Sequence, residues 1–168
     1  MYTDYRVGWS KTSVAITLAV FAVVIGIIVG LLIEGTPIVS VEFLIIGLVL
    51  ICLLYVASYA PTRIELSDSM LIIHRVLGST RIPIDSISGC ERYYPTFLMK
   101  VCGSGGFCGS LGWYRTTATG PFVSYVTDWH KAILIDAGTK KYMISCNNPD
   151  KLVADLDYLR MMPQNQFR

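Results

Sequence analysis

The chain has 168 residues, of which 53% are hydrophobic and 15% charged, with a formal net charge of +2. That balance excludes disorder, coiled coil and collagen, and the near-neutral charge carries no nucleic-acid signature. The length suffices for one domain and a little more, so the apolar excess has to be located.

It lies at the front. Residues 12–33 read TSVAITLAVFAVVIGIIVGLLI and residues 43–60 read FLIIGLVLICLLYVASYA, both without a charge. At ~1.5 Å of rise per residue the first run covers the ~30 Å hydrocarbon core, and the second nearly does when extended back to Ser40. The first run is too long for the core of a cleaved signal peptide and ends in Leu31-Leu32-Ile33-Glu34, with no small-x-small site. Neither run has a polar face to show to water. The intervening Glu34-Gly-Thr-Pro-Ile-Val-Ser40 carries a turn-forming Gly and a Pro. The expectation is a transmembrane hairpin over residues 12–60, with spans at about 12–33 and 40–60, behind an N-terminal segment of residues 1–11.

Arg6 and Lys11 precede the first span and Arg63 and Arg75 follow the second, while the connecting loop holds Glu34 and Glu42. The positive-inside rule then puts both termini in the cytoplasm, and Trp9, Tyr55 and Tyr59 form an aromatic belt at that interface. Gly26-Ile-Ile-Val-Gly30 is a GxxxG pair. Such a pair serves to pack against the second span near Gly47 or to form a seam between two copies.

Cys52 falls inside the second span, which leaves Cys90, Cys102, Cys108 and Cys146 in the cytoplasmic portion, where thiols stay reduced. Cys102, Cys108, Cys146 and His130 are the candidate zinc ligands, but C-x5-C is not the spacing of common structural sites, and no metal or other cofactor is expected.

Residues 61–168 read as one mildly basic soluble domain. Arg63–Leu66, Met70–Arg75, Arg81–Asp85 and Ile87–Tyr94 are apolar alternations separated by turn residues, with Pro83 at an edge position. Residues 101–120, VCGSGGFCGSLGWYRTTATG, hold six of the 14 glycines. With no GK[ST] and no helix behind the imperfect Gly103-Ser-Gly105-Gly-Phe-Cys108, this is not a phosphate loop. The glycines point instead to bulges, positive φ or close backbone packing at a bend in a sheet. Pro121–Thr127 is a strand, and Ala132–Asp136 and Lys141–Ser145 form a hairpin about Ala137–Lys140. Asn148-Pro-Asp150 then opens a helix whose Leu152, Val153, Leu156 and Leu159 make an apolar stripe. About seven strands followed by one helix is a small α+β architecture.

Four segments carry a family resemblance: Thr62-Arg-Ile-Glu-Leu-Ser67, Arg81-Ile-Pro-Ile-Asp-Ser-Ile87, GGFCGSLGWYR from Gly105 to Arg115, and Lys141-Tyr-Met-Ile-Ser-Cys-Asn-Asn-Pro-Asp150. Over residues 60–160 the chain resembles the bacterial pleckstrin-homology-like domains, which commonly follow two transmembrane helices. The resemblance implies a seven-stranded bent β-barrel capped by a C-terminal α-helix, in a multi-pass protein of the bacterial cytoplasmic membrane. It implies a fold more than a function.

A hairpin anchor and the lack of a catalytic constellation favour a membrane-bound scaffold that recruits or assembles proteins, through self-association or another membrane protein. The aromatics Phe107, Trp113, Tyr114 and Trp129 are the candidate interaction surface, and Gly26 and Gly30 the candidate helix-packing site. The alternative is anionic-lipid headgroup binding through Lys131, Lys140 and Lys141, since Ser67-Asp68-Ser69 lacks the basic cluster of phosphoinositide-binding PH domains. An enzyme using Cys102, Cys108, His74 or the Asp128-Trp-His130 pair is the least supported reading.

Overall fold

The computed structural model describes residues 2–35, 41–94 and 98–161. Two helices, α1 (Lys11–Ile33) and α2 (Val41–Ser58), stand above a β-rich domain. Their 23 and 18 residues span roughly 34 and 27 Å. Both are apolar on every side: Leu18, Val23 and Ile25 on α1, and Leu44, Leu48 and Ile51 on α2, are all exposed. A water-facing helix would carry a polar face instead. These are two helices long and apolar enough to cross a membrane. Beyond Gly35, the turn expected at residues 34–40 lies outside the described residues.

The first sheet begins before the helices. Strand β1 (Thr3–Arg6) pairs antiparallel with β2 (Pro61–Leu66), which pairs with β3 (Met70–Arg75) and that with β4 (Ser79–Pro83). The sequence assigns residues 1–11 no structure of their own, yet Thr3 to Arg6 run opposite Leu66 to Arg63. Tyr5 is buried in the core and its hydroxyl donates to Asp155. The segment continues to be held by the Asn147 amide, which donates to the Arg6 carbonyl at 2.9 Å, and by the Thr127 hydroxyl, which donates to the Gly8 carbonyl at 2.8 Å. Pro83 ends β4, an edge strand, where its missing N–H removes no ladder bond.

The second sheet has six strands in the order β5-β9-β10-β8-β7-β6. They are β5 (Gly89–Arg92), β6 (Met99–Gly106), β7 (Gly109–Thr116), β8 (Gly120–Val126), β9 (Ala132–Ala137) and β10 (Lys140–Ser145). All neighbours are antiparallel except β8 and β10. The Gly-rich stretch, expected as a bend, is thus a paired hairpin, and among the described residues nine strands rather than about seven follow the helices. Helix α3 (Pro149–Met161) closes the domain, with Leu152, Leu156 and Leu159 buried and Val153 packed beside them.

The two sheets and α3 enclose one core: Ile64, Leu71 and Ile73 from the first sheet, Ile133, Ile135 and Ile144 from the second, and Leu152 and Leu156 from the helix. Each such burial is worth roughly 1.5–3 kcal/mol. The far face of the second sheet carries a smaller cluster built on Tyr114, Phe122, Leu134 and Met143. The result is the expected α+β arrangement, as a barrel-like sandwich of two sheets.

Candidate functional site

The β6–β7 hairpin is where the domain meets the helices. Gly103 and Gly112 face each other across its ladder. Both have positive φ, +134° and +119°, and a Cβ on Gly103 would stand 2.0 Å from the Leu111 carbonyl oxygen, one on Gly112 2.4 Å from that of Cys102. Only glycine allows strands to close that far. A register shift between Lys100 and Cys102 adds a bulge on β6.

This shape brings the tip, Phe107-Cys108, onto the helices. The Phe107 ring lies 6.0 Å from that of Phe21 on α1, and the Cys108 amide donates to the Thr17 hydroxyl at 3.0 Å. Phe107, Cys108, Leu111 and Ala60 form a buried cluster completed by Val20 of α1 and Leu53, Val56 and Ala57 of α2. At the foot of α1 the Ser13 hydroxyl donates to the Thr127 carbonyl at 3.2 Å, and Ser10 caps the helix by accepting from the Ser13 amide. Helices and domain therefore share a core.

Beside this junction lies a cavity of about 480 Å³, walled by Tyr55 of α2, Tyr59 just after it, Trp113 of β7, Tyr125 of β8, and Lys140 and Tyr142 of β10. That volume falls in the usual range of roughly 300–1,000 Å³ for small-ligand sites. Register explains the wall. Leu111 pairs with Tyr125, Trp113 with Val123 and Val123 with Tyr142, so these side chains share one face of the sheet, and Lys140, two residues before Tyr142, lies on the same face. Along that face the lining passes from Leu111 near the hairpin tip to Lys140 at the far end. Two hydroxyl pairs edge the space, Tyr55 with Tyr59 at 2.9 Å and Thr80 with Tyr125 at 3.2 Å. Burial raises the Tyr142 phenol above its ordinary pKa, with the neighbouring Tyr125 adding to the effect.

One cation sits behind the aromatic wall. The Arg75 guanidinium is 5.1 Å from the Tyr59 ring centre and 5.8 Å from that of Tyr125. Its Nε is buried without a hydrogen-bond partner. The Nε of Arg92 is in the same state, although the terminal nitrogens of that guanidinium engage Asp150, the Tyr94 hydroxyl and the His130 carbonyl. No carboxylate lines the cavity among the described residues.

The sequence model of the bacterial PH domain matches residues 62–159. The chain belongs to that family. Comparison with curated proteins and with solved structures finds no match. Within this bacterial PH domain protein the two sheets, the closing helix and the two long apolar helices have the places described above, and the PH-like architecture is in general that of a non-catalytic binding module.

The residues singled out in the sequence are distributed unevenly over this PH-like domain. Phe107 is covered by the protein's own helices, Tyr114 is buried against Phe122 and Trp129, and the Trp129 indole N–H donates to the Ser110 hydroxyl at 2.9 Å. Trp113 is the exception, half exposed at the cavity. The lysines do not make one patch. Ala132, next to Lys131, pairs with Ser145, whereas Lys140 pairs with Ala137, so the Ala132 and Lys140 ends of this ladder are roughly 17 Å apart at ~3.4 Å per residue, with Lys131 beyond the Ala132 end. Lys141 is engaged by Asp136 at 3.5 Å.

Among the thiols, Cys102 is exposed on β6, Cys108 sits at the hairpin tip, and Cys146 is in the main core. Among the described residues no three metal-ligating side chains come together. Asp128 accepts from the His130 backbone amide at 3.1 Å, which caps a short turn and positions no imidazole. His74 on β3 reaches Glu65 on β2 at 2.8 Å, and that bond holds the Glu65 carboxyl below its ordinary pKa. Arg75 and the tyrosines were not legible as a group. Tyr59, Arg75, Tyr125 and Tyr142 are far apart along the chain, and only the i, i+4 spacing of Tyr55 and Tyr59 marks a shared side in advance.

Proposed function

We propose that this protein is a membrane-anchored PH-like scaffold that assembles proteins at the cytoplasmic face of a bacterial cytoplasmic membrane, without catalysis, with α1 and α2 as spans and both termini inside. The observation that carries the reading is the shared core at the hairpin tip, Phe107 and Cys108 against Phe21, Val20 and Val56. A flexible tether would leave the domain free to tumble, whereas this one holds its surfaces at a set height and angle to the helices. Arg6, Lys11, Arg63 and Arg75 at the domain end of the hairpin agree with the orientation.

Two surfaces suit assembly. Gly26 and Gly30 have nothing within 4 Å of an added Cβ among the described residues, and neither does Gly47, which favours the seam between copies over packing on the second span as the use of the GxxxG pair. That face is open to a second copy or another membrane helix. On the domain, β6 is an edge strand with Met99 and Val101 exposed and Trp113 beside it on β7.

Extraction of the intact chain in mild detergent, with particle mass and co-purifying proteins determined, tests the proposal. A homo-oligomer that falls to monomer with Gly26→Leu and Gly30→Leu supports a self-assembling scaffold. A stoichiometric second protein supports an accessory subunit that the partner would define. A lone monomer in native membranes and in detergent sinks the scaffold reading.

A further inference from the structure

We propose that the β3–β4 turn, Val76-Leu77-Gly78, dips into the hydrocarbon of the domain-side leaflet and holds the domain to the bilayer at a third point beside α1 and α2. The inference rests on α1 and α2 crossing the membrane, as proposed above, and adds a contact made by the domain itself. It starts from a contrast between turns. Ser67-Asp68-Ser69 between β2 and β3, Thr117-Ala118-Thr119 between β7 and β8, and Gly138-Thr139 between β9 and β10 are small or polar, as water-facing turns are. Two hairpin turns among the described residues carry large apolar side chains instead, Phe107-Cys108 and Val76-Leu77, and these are the two that meet the helices. At the first, α1 and α2 cover the side chains; at the second, Val76 is 62% and Leu77 72% exposed.

The height of the turn is set by α2. The Leu77 amide donates to the Ser58 carbonyl and the Val76 amide to the Ala60 carbonyl, both at 3.0 Å, so the turn supplies donors that the last carbonyls of the helix would otherwise lack. Val76 and Leu77 therefore lie where α2 ends, and the apolar layer reaches that far. From Phe43, the residue after Glu42, to Ser58 the helix rises about 24 Å, roughly 6 Å short of the ~30 Å hydrocarbon core. On α1 the stretch from Thr17, which takes the Cys108 amide, to Ile33 is about 25 Å and falls short in the same way. A bilayer meets such a shortfall by thinning or by drawing flanking groups into its edge, and the exposed Val76 and Leu77 are flanking groups of that kind. The neighbouring cation does not oppose this. Arg75 folds its guanidinium back over the Tyr59 and Tyr125 rings, 5.1 and 5.8 Å from their centres, which keeps its charge away from the tip. The exposed Tyr55, one turn earlier on α2, suits the same boundary. A third contact, off the axis of the helices, resists rocking of the whole body in the membrane.

Fluorescence quenching in the full chain tests this. Leu77→Trp and Val76→Trp each put a reporter on the turn, at exposed positions that leave the core intact. Ser69→Trp, exposed at the opposite end of β3, is the water-side control and accounts for the ring's own affinity for lipid; Leu48→Trp, exposed on α2, is the control within the span. Each variant is placed in nanodiscs of neutral phosphatidylcholine, so that charge attraction plays no part, and its signal is read as the difference from the native chain. Quenching by phosphatidylcholine brominated on its acyl chains is compared with quenching by acrylamide in the water. The expected ratio of lipid to aqueous quenching at Leu77→Trp and Val76→Trp is at least about fivefold that at Ser69→Trp, with emission shifted to the blue as at Leu48→Trp. Ratios at both turn positions equal to that at Ser69→Trp, with Leu48→Trp still quenched by the brominated lipid, overturn the proposal alone. Absence of lipid quenching at Leu48→Trp overturns the membrane-spanning reading and the proposal with it, which tells the two failures apart.

Discussion

The Cys108 amide and the Thr17 hydroxyl, 91 residues apart in sequence, are joined at 3.0 Å, and Thr17 passes the bond on by donating to the Ser13 carbonyl at 2.8 Å. Cys108 is the one non-glycine with positive φ among the described residues, at 55°, so its amide is aimed by a backbone state that side chains ordinarily avoid. Thr17→Val keeps the shape and removes the acceptor. The expected loss is about 1–3 kcal/mol in the thermal or denaturant unfolding of the full chain, with faster amide exchange at residues 106–109, while Thr17→Ser restores both. An unchanged Val variant would mean that the tip is held by Phe107 packing alone.

The Gly103–Gly112 pair gives a steric prediction. Gly112→Ala puts a methyl group against the Cys102 carbonyl in a left-handed backbone, and the hairpin has to open to admit it. The expected destabilisation is about 3 kcal/mol or more. Gly120→Ala is the control, since φ is +72° there and nothing lies within 4 Å, so only the backbone cost of roughly 1–2 kcal/mol remains. Similar unfolding midpoints for the two variants would refute the close approach.

Burial pushes the Cys90 thiol up to about 12 and that of Cys146 up to about 11. Both remain protonated in the fold at pH values where the unfolded chain has begun to lose those protons. Their contribution is therefore flat below about pH 8.5, and stability falls as pH rises from there towards 11. Replacing Cys146 with Ala should make the drop between pH 8 and pH 10.5 smaller than in the native chain. At pH 7.5 a maleimide should modify the exposed Cys102 and leave Cys90 and Cys146 untouched until the domain unfolds. Rapid labelling of Cys146 in the folded chain would contradict its burial.

Strand β1 carries the fourth prediction. Tyr5 fills part of the main core and binds Asp155 of α3, so Tyr5→Ala should cost about 3–5 kcal/mol and Tyr5→Phe about 1 kcal/mol. A fragment of residues 61–168 lacks this strand and should be much less stable than the same fragment with residues 2–8 joined to it by a flexible linker. Equal stability of the two would show β1 to be an ornament of the sheet.

Much of the fold was legible because its signals are local. The Leu152, Leu156 and Leu159 stripe repeats at helical spacing, and the hairpin about Ala137–Lys140 alternates as a strand pair should. Both long apolar helices announce themselves by composition. Strand β1 was not legible, because TDYR has a single buried residue and its partner lies beyond both apolar helices. The β6–β7 hairpin was hidden by its glycines, which remove the alternation of side chains by which a strand is recognised while permitting the approach that makes this one. The cavity was hidden for another reason: Tyr55, Trp113, Tyr125 and Lys140 come from four elements, and Arg75, which stacks on two of its tyrosines without lining it, comes from a fifth. Side chains chosen by type alone, such as Phe107 and Tyr114, proved to be the mortar between elements.

The ladder between β1 and β2 also bears on biogenesis. Thr3 leaves the ribosome first, and its partner Leu66 follows only after both apolar helices have been synthesised. With α1 and α2 as membrane spans, as proposed above, the strand must wait unpaired while the insertion machinery handles what comes between. It finds its complement only if both arrive in the same compartment, which requires an even number of crossings between them. A chain that inserted one helix and left the other behind would put β1 across the bilayer from the other three strands of its sheet, with Tyr5 kept out of the core. Completion of the sheet is in this sense a check, built into the polypeptide, that the anchor has been threaded correctly.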